Sequence, residues 1–421
     1  MKLREYDDIN ERLFLHRLPN GLTVFVIPKK GFNKRYAIFA TDYGGADRRF
    51  KPGEDWVVTP EGVAHFLEHK MFDTKTGNAL TTLTENGAAA NAYTSTDITA
   101  YHFESIENFE ENLETLLSFV SVPYFTSDSI EKERGIITQE ILMSEDDPDY
   151  CLYYGLMQSL FSHNPLRDSV AGTVESIKTI TAQTLYDCHK VFYTPSNMAL
   201  CVVGDINPST IIDLAERLLP AVSGEIPERD YGAPEELAPL CKAFSKKMEV
   251  SLPVFLAGCK HKTALHGDKY LRDELLSVMA LDLLAGHSSP LFFRLYNEGL
   301  VNTDFSASFD SAAGMSYSMF GGETREPEHV FDEIISEITA LSLNGPDPTL
   351  FKRIKKAAIG SHIRTFNSFG AIASGAITGH FKGCDIFTTP KIIDSFTEED
   401  VKTFFCESLI PDNMAISIIT N

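Results

Sequence analysis

The hexapeptide Pro195-Ser196-Asn197-Met198-Ala199-Leu200 returns as Pro411-Asp412-Asn413-Met414-Ala415-Ile416, a spacing of 216 residues. Thr181 and Leu185, in a helical stretch leading to the first copy, return at the same spacing as Thr397 and Val401. More weakly, Glu85-Asn86-Gly87-Ala88 can be laid on Asn297-Glu298-Gly299-Leu300, a spacing of 212. In a chain of 421 residues such a period leaves room for two copies of one domain and little more. Both halves mix strand-like and helical patterns. The expected fold class is therefore α+β, with two homologous repeated domains, each an antiparallel or mixed sheet with helices packed on it. Residues 220–240 carry Pro220, Pro227, Pro234 and Pro239 among acidic residues, which reads as a linker. The expected division is a first domain over 1–222, a linker over 223–241 and a second domain over 242–421.

Composition narrows the class. A hydrophobic fraction of 43% and a charged fraction of 23% are those of a soluble globular protein. No apolar run is expected to reach membrane-spanning length, and residues 1–8 have no apolar core of a secretory signal. Seven cysteines with no C-x-x-C pair suit reduced thiols and a cytoplasmic setting. A net charge of −22 argues against nucleic acid; it suits plain solubility more than any selection for basic peptides.

Along the first half, Leu18–Pro28 reads as a tight Asn20-Gly21 turn feeding a strand, and Tyr36–Thr41 as a second strand. Thr84–Ser95 reads as a turn running into a strand of small and polar residues, and Asp97–Glu104 as a strand returning beside it. Phe109, Leu113, Leu116, Leu117 and Val120 fall at helical spacing, so 107–121 is an amphipathic helix.

Between these elements lies Thr59-Pro60-Glu61-Gly62-Val63-Ala64-His65-Phe66-Leu67-Glu68-His69-Lys70-Met71-Phe72. Thr59 suits a helix cap and Pro60 a first helical position. On that helix His65 and His69 are i and i+4, one turn apart on one face. Two neutral imidazoles so spaced can hold one Zn²⁺ and leave room for a third ligand and a water. Glu68 lies on the same side, within reach of a proton on that water. The bland alternative is a solvated helix face. At the 212 spacing His65 and His69 fall on Ser277 and Leu281, so the second half has no such pair.

A helix over about 128–145 offers carboxylates. With Glu140 taken as zero at about 100° per residue, Ile136 lies about 40° to one side, Met143 about 60° to that side and Ile137 about 60° to the other. Glu133 lies about 20° from Glu140, two turns earlier. Two carboxylates in the middle of an apolar stripe are costly unless paired or bound to metal, and a two-histidine site lacking a ligand favours metal.

Taken together, His65-Phe66-Leu67-Glu68-His69, a following helix with Glu133 and Glu140, and two repeated α+β halves resemble the pitrilysin/insulinase family of zinc peptidases, with H-x-x-E-H the inverse of H-E-x-x-H. Half-size members similar to mitochondrial processing peptidase and its bacterial relatives fit best. Asn20-Gly21-Leu22, Asn91-Ala92-Tyr93-Thr94 and Gly172-Thr173 fit the family pattern too. The resemblance implies zinc on His65, His69 and Glu140, Glu68 as general base and Glu133 as an accessory catalytic acid. It implies that Asn91, Ala92 and Tyr93 form a sheet edge taking the substrate peptide as an added strand. It also implies that each such chain is half of a clamshell around a chamber. Relatives carry an Arg and a Tyr in the second half that grip the substrate backbone; here Tyr296 and Asn302 stand there.

The function expected from all this is that of a zinc endopeptidase cutting peptides or unfolded segments. The expected assembly is a dimer, foremost a heterodimer with a homologous chain lacking the zinc motif. The competing expectation is a non-catalytic or partner-dependent zinc-containing subunit that binds peptides. Other divalent ions also suit the ligand set.

Overall fold

Met198-Ala199-Leu200-Cys201-Val202-Val203-Gly204 is buried at every residue, which requires a strand covered on both faces. In the computed structural model, which describes residues 1–421, it is the central strand of a seven-stranded sheet. The strands are β1 (Lys2–Tyr6), β2 (Glu11–Arg17), β3 (Thr23–Pro28), β4 (Arg35–Thr41), β5 (Ala89–Thr94), β6 (Thr99–Ser105) and β7 (Met198–Gly204). Their order is β1-β2-β3-β7-β4-β6-β5. β7 runs parallel to β3 and antiparallel to β4. β5 pairs with β6 alone and is a free edge, with Thr94 opposite Thr99 and Asn91 opposite His102.

The second sheet repeats this plan. Its strands are β8 (Ala243–Lys247), β9 (Val254–His261), β10 (Ser306–Ala312), β11 (Met315–Glu323) and β12 (Met414–Thr420), in the order β8-β12-β9-β11-β10. β12 runs parallel to β8 and antiparallel to β9, as β7 does to β3 and β4. Met198 and Met414, paired by the sequence repeat, begin the two central strands, each after a 3₁₀ turn. Thr181 and Thr397 both cap helices by accepting the N–H three residues on. Even the weak match holds. Gly87 and Gly299 have φ of 80° and 72°, and Ala88 and Leu300 donate back to Leu83 and Leu295. The α+β class with two homologous halves, read from the sequence, is what the chain adopts.

Packing does not follow a single cut near residue 230. One compact unit holds residues 1–141, 169–231 and 364–381; the other holds 142–168, 232–363 and 382–421. In the first, the helix Phe369–Phe381 packs on β7 and β4. In the second, the helix Pro148–Leu160 packs on β12 and β9. Gly155 allows that approach, because a Cβ there would clash with the Phe244 ring of β8 and lie 2.8 Å from Ser417 Oγ of β12. Each central strand is thus covered by a helix drawn from the other half of the sequence.

The first unit also contains helices α1 (Val63–Met71), α2 (Ser127–Glu145, to residue 141) and α3 (Ala182–Phe192). The second contains α4 (Gly267–Ala285), α5 (Pro290–Asn297) and α6 (Glu398–Glu407). The segment Gly267–Asn297 is long and apolar enough to cross a membrane by length and composition, which amends the expectation that no such run exists. It is broken after Ala285, and Met279, Leu283 and Leu284 belong to the core of the second unit.

The proline-rich linker is structured. In the first unit Glu228–Arg229 pairs with Arg49–Lys51, and Arg229 bonds Asp42 Oδ2 at 2.8 Å and lies 3.2 Å from Asp47 Oδ1. Tyr231 and the Gly44 N–H also donate to Asp47, which is buried. In the second unit Glu235 accepts the N–H groups of Ser162 and Asn164 and faces the buried Lys260 at 3.4 Å. The segment read as a linker thus carries charges, Arg229 and Glu235, that tie it to its unit.

Candidate metal centre

α1 begins at Val63 with Gly62 at its cap, not at Pro60 after Thr59. Gly62 has φ of 87°, and a Cβ on it would lie 2.5 Å from the Ala171 carbonyl oxygen. Thr59 donates instead to the Arg48 carbonyl. Val63, Ala64, Phe66, Leu67 and Met71 turn into the core. That orientation leaves His65, Glu68 and His69 on the face toward α2 and β5.

His65 Nε2 lies 3.5 Å from Glu140 Oε1, and His69 Nε2 lies 3.6 Å from Glu140 Oε2. One donor atom from each of the three falls within 4.8 Å of the others. Donors bound tetrahedrally at zinc distances are roughly 3.4 Å apart, close to the 3.5 and 3.6 Å that separate Glu140 from the two histidines, so the set suits such an ion. The hydrogen bond to His65, with the charges of both histidines, holds the Glu140 carboxyl below its usual range. Burial works against a proton on His69, yet the bond to Glu133 and the charges of Glu140 and Glu68 outweigh it and raise its pKa. An anionic pocket that attracts protons to histidine attracts a divalent cation by the same field.

The apolar stripe on α2 is not where periodicity put it. Ile130, Ile137 and Ile141 are buried, whereas Ile136 and Met143 are exposed. Glu140 is 45% exposed, at the border of the buried stripe, and Glu133 is 17% exposed. Taking Ile136 and Met143 as core, and leaving out Ile130 and Ile141, shifted the inferred face toward the carboxylates.

Glu133, expected as an accessory acid, sits with Oε1 at 3.0 Å from His69 Nδ1. That bond lowers the pKa of Glu133, with help from Lys70. Lys70 is buried, pairs with Asp73 and lies 3.9 Å from Glu133 Oε2. Glu68 accepts a hydrogen bond at Oε2 from Thr94 Oγ1 at 2.5 Å. The sequence assigns a role to neither Thr94 nor Lys70. Thr94 alternates with Ala90 and Ala92 on β5, and that period of two was the available signal.

Asn91, Ala92 and Tyr93 lie on β5, the unpaired edge, with Asn91 and Tyr93 exposed. Tyr296 and Asn302 belong to the second unit. Tyr296 is exposed at the end of α5 and stacks on Phe292; Asn302 donates to Glu323 at 3.0 Å. The histidines, Glu68, Glu133 and Glu140 are brought together within the first unit alone.

Residues 59–174 match the insulinase (peptidase family M16) domain, and residues 179–358 match the peptidase M16 inactive domain. A Bacillus subtilis (strain 168) protein described as the uncharacterized zinc protease YmfH is 38% identical over 98% of this chain and 97% of its own length. The chain belongs to the insulinase family, peptidase family M16. The crystal structure of a putative M16-like peptidase from Alicyclobacillus acidocaldarius, 31% identical, superposes with a TM-score of 0.93 over 97% of this M16 chain and 98% of the other. The crystal structure of pitrilysin shares the fold at a TM-score of 0.78 and 18% identity. It covers 99% of this M16 chain but only 46% of the pitrilysin chain. The M16 resemblance seen in the motifs therefore extends along the whole sequence.

Proposed function

We propose that this M16 chain is the catalytic half of a zinc endopeptidase, with the ion held by His65, His69 and Glu140. The observation that carries this reading is the separation of Glu140 from the two histidine nitrogens, 3.5 and 3.6 Å, beside Glu68 on the same helix face. When bound, the ion supplies polarisation of the scissile carbonyl and a water acidified towards pKa ~7. Glu68 takes the proton of the attacking water and delivers it to the leaving amine. Glu133 fixes His69 with its proton on Nδ1, so that Nε2 offers a lone pair. Its place on that nitrogen supports a positioning role rather than the catalytic one first expected. The edge strand β5 takes an extended peptide by added strand pairing, with Asn91, Ala92 and Tyr93 in contact. Selection is then for flexible segments that can lie flat along an edge. Hydrolysis of an unstructured fluorogenic peptide, abolished by a chelator and restored by zinc, tests the reading; chelator-insensitive hydrolysis would sink it.

A second reading is that activity requires a homologous partner facing this chain across a chamber. Two observations favour it. Residues 179–358 match an inactive domain, and Tyr296 and Asn302 offer neutral groups where a cationic grip is expected. The partner would be a paralogue that retains the grip and lacks H-x-x-E-H. Purified chain assayed alone and with its paralogue decides: full activity alone, unchanged by the partner, rules the requirement out. A cytoplasmic location remains part of the proposal and rests on cysteine usage; fractionation checks it.

A further inference from the structure

We infer that Thr94 is a positioning residue for Glu68, holding one carboxylate oxygen so that the other is presented to the attacking water. The inference rests on the reading of Glu68 as general base. Glu68 Oε2 accepts from Thr94 Oγ1 at 2.5 Å, within the range of charge-assisted O–H···O⁻ bonds. Glu68 is only 9% exposed, so water competes poorly for that oxygen. The terminal torsion of a glutamate is otherwise broad, and a single short bond removes that freedom.

Thr94 is itself fixed from behind. It ends β5, directly opposite the fully buried Thr99 in the ladder. Thr99 Oγ1 lies 3.5 Å from Thr94 Oγ1 and donates to the Tyr43 carbonyl at 2.9 Å. The loop beyond β5 is tied by Gly45 and Ala46, which donate to the carbonyls of Ser95 and Thr96. The hydroxyl that orients the base is therefore mounted on the strand proposed to receive the peptide. The competing account is a threonine that merely satisfies its hydroxyl on the nearest acceptor; it predicts a loss of stability with no separate effect on turnover.

The test compares Thr94→Val, Thr94→Ser and Glu68→Gln in the zinc-loaded chain, with its partner where one is required. The measurements are kcat, KM and bound zinc on an unstructured peptide. Thr94→Val should keep its zinc and its KM and lose about tenfold or more in kcat, as for a lost bond to a charged group. Thr94→Ser should recover most of that loss. A readout independent of turnover is the thermal midpoint. The drop caused by Thr94→Val should largely vanish in a Glu68→Ala background. Wild-type kcat in Thr94→Val beside an inactive Glu68→Gln would overturn this inference alone, as would equal losses in Thr94→Val and Thr94→Ser or an unchanged drop in the Glu68→Ala background. Wild-type turnover in Glu68→Gln would overturn the general-base reading and this inference with it.

Discussion

Glu133 Oε1 lies 3.0 Å from Nδ1 of His69, and the other ring nitrogen of that histidine faces Glu140 at 3.6 Å. One imidazole is thus clasped between two carboxylates a heptad apart on α2. The inner contact orients the ring, and the outer one belongs to the proposed ligand set. The bond to His69, helped by the buried Lys70 at 3.9 Å, holds the Glu133 carboxyl below its usual range.

Glu133→Ala should therefore weaken zinc binding about 10- to 100-fold without removing a ligand. Competition against a chelating dye measures it. Affinity equal to wild type would show that the contact is incidental.

Glu140→Gln should lose most bound zinc by elemental analysis, while Glu145→Gln, at an exposed position on the same helix, should not. Equal zinc in both variants would contradict the ligand assignment.

A pH effect separate from the metal comes from two buried neutral histidines. His189 bonds the Val120 carbonyl in the first unit, and His261 bonds the Ser408 carbonyl in the second. Burial pushes both down to about 4, against the bond to the carbonyl. A folded pKa below the unfolded value of about 6.5 means stability that is present above pH ~6.5 and lost as pH falls toward 4. Each histidine accounts for roughly 3 kcal/mol of that loss. Urea midpoints measured from pH 7 to pH 4 should fall less steeply in His189→Gln and His261→Gln. An unchanged slope in both variants would refute the assignment.

Much of this was legible in the sequence, for identifiable reasons. The repeat survives because Met198 and Met414 open strands that must be apolar on both faces, which restricts what each position accepts. The i,i+4 histidines were readable because helical geometry alone sets their separation. What could not be read depended on long-range packing. Nothing local says that residues 364–381 cover the sheet of the first unit, since their apolar pattern names no partner. The anchoring roles of Glu235 and Arg229 within the proline-rich linker depend on buried partners far away in the sequence, Lys260 and Asp47. The face of α2 was misjudged because Ile136 and Met143 are exposed, and periodicity cannot tell an exposed isoleucine from a buried one.

The Arg229 anchor carries its own prediction. Its partner Asp47 is buried, which raises its pKa to about 6 even with the guanidinium beside it. Arg229→Ala would leave that carboxylate without its countercharge and should destabilise the chain by about 3 kcal/mol or more near neutral pH. Asp47→Asn combined with Arg229→Ala should recover part of the loss, as thermal unfolding would show. Single and double variants of equal stability would argue against the pairing.

Glu68 is proposed to act as base beside a metal held by His65, His69 and Glu140. Glutamine is nearly isosteric with glutamate but takes no proton. The decisive measurement is kcat of Glu68→Gln on an unstructured fluorogenic peptide, with bound zinc quantified in the same preparation. Zinc at the wild-type level with kcat reduced 10²-fold or more is the predicted result. Zinc at the wild-type level with kcat unchanged would contradict the account.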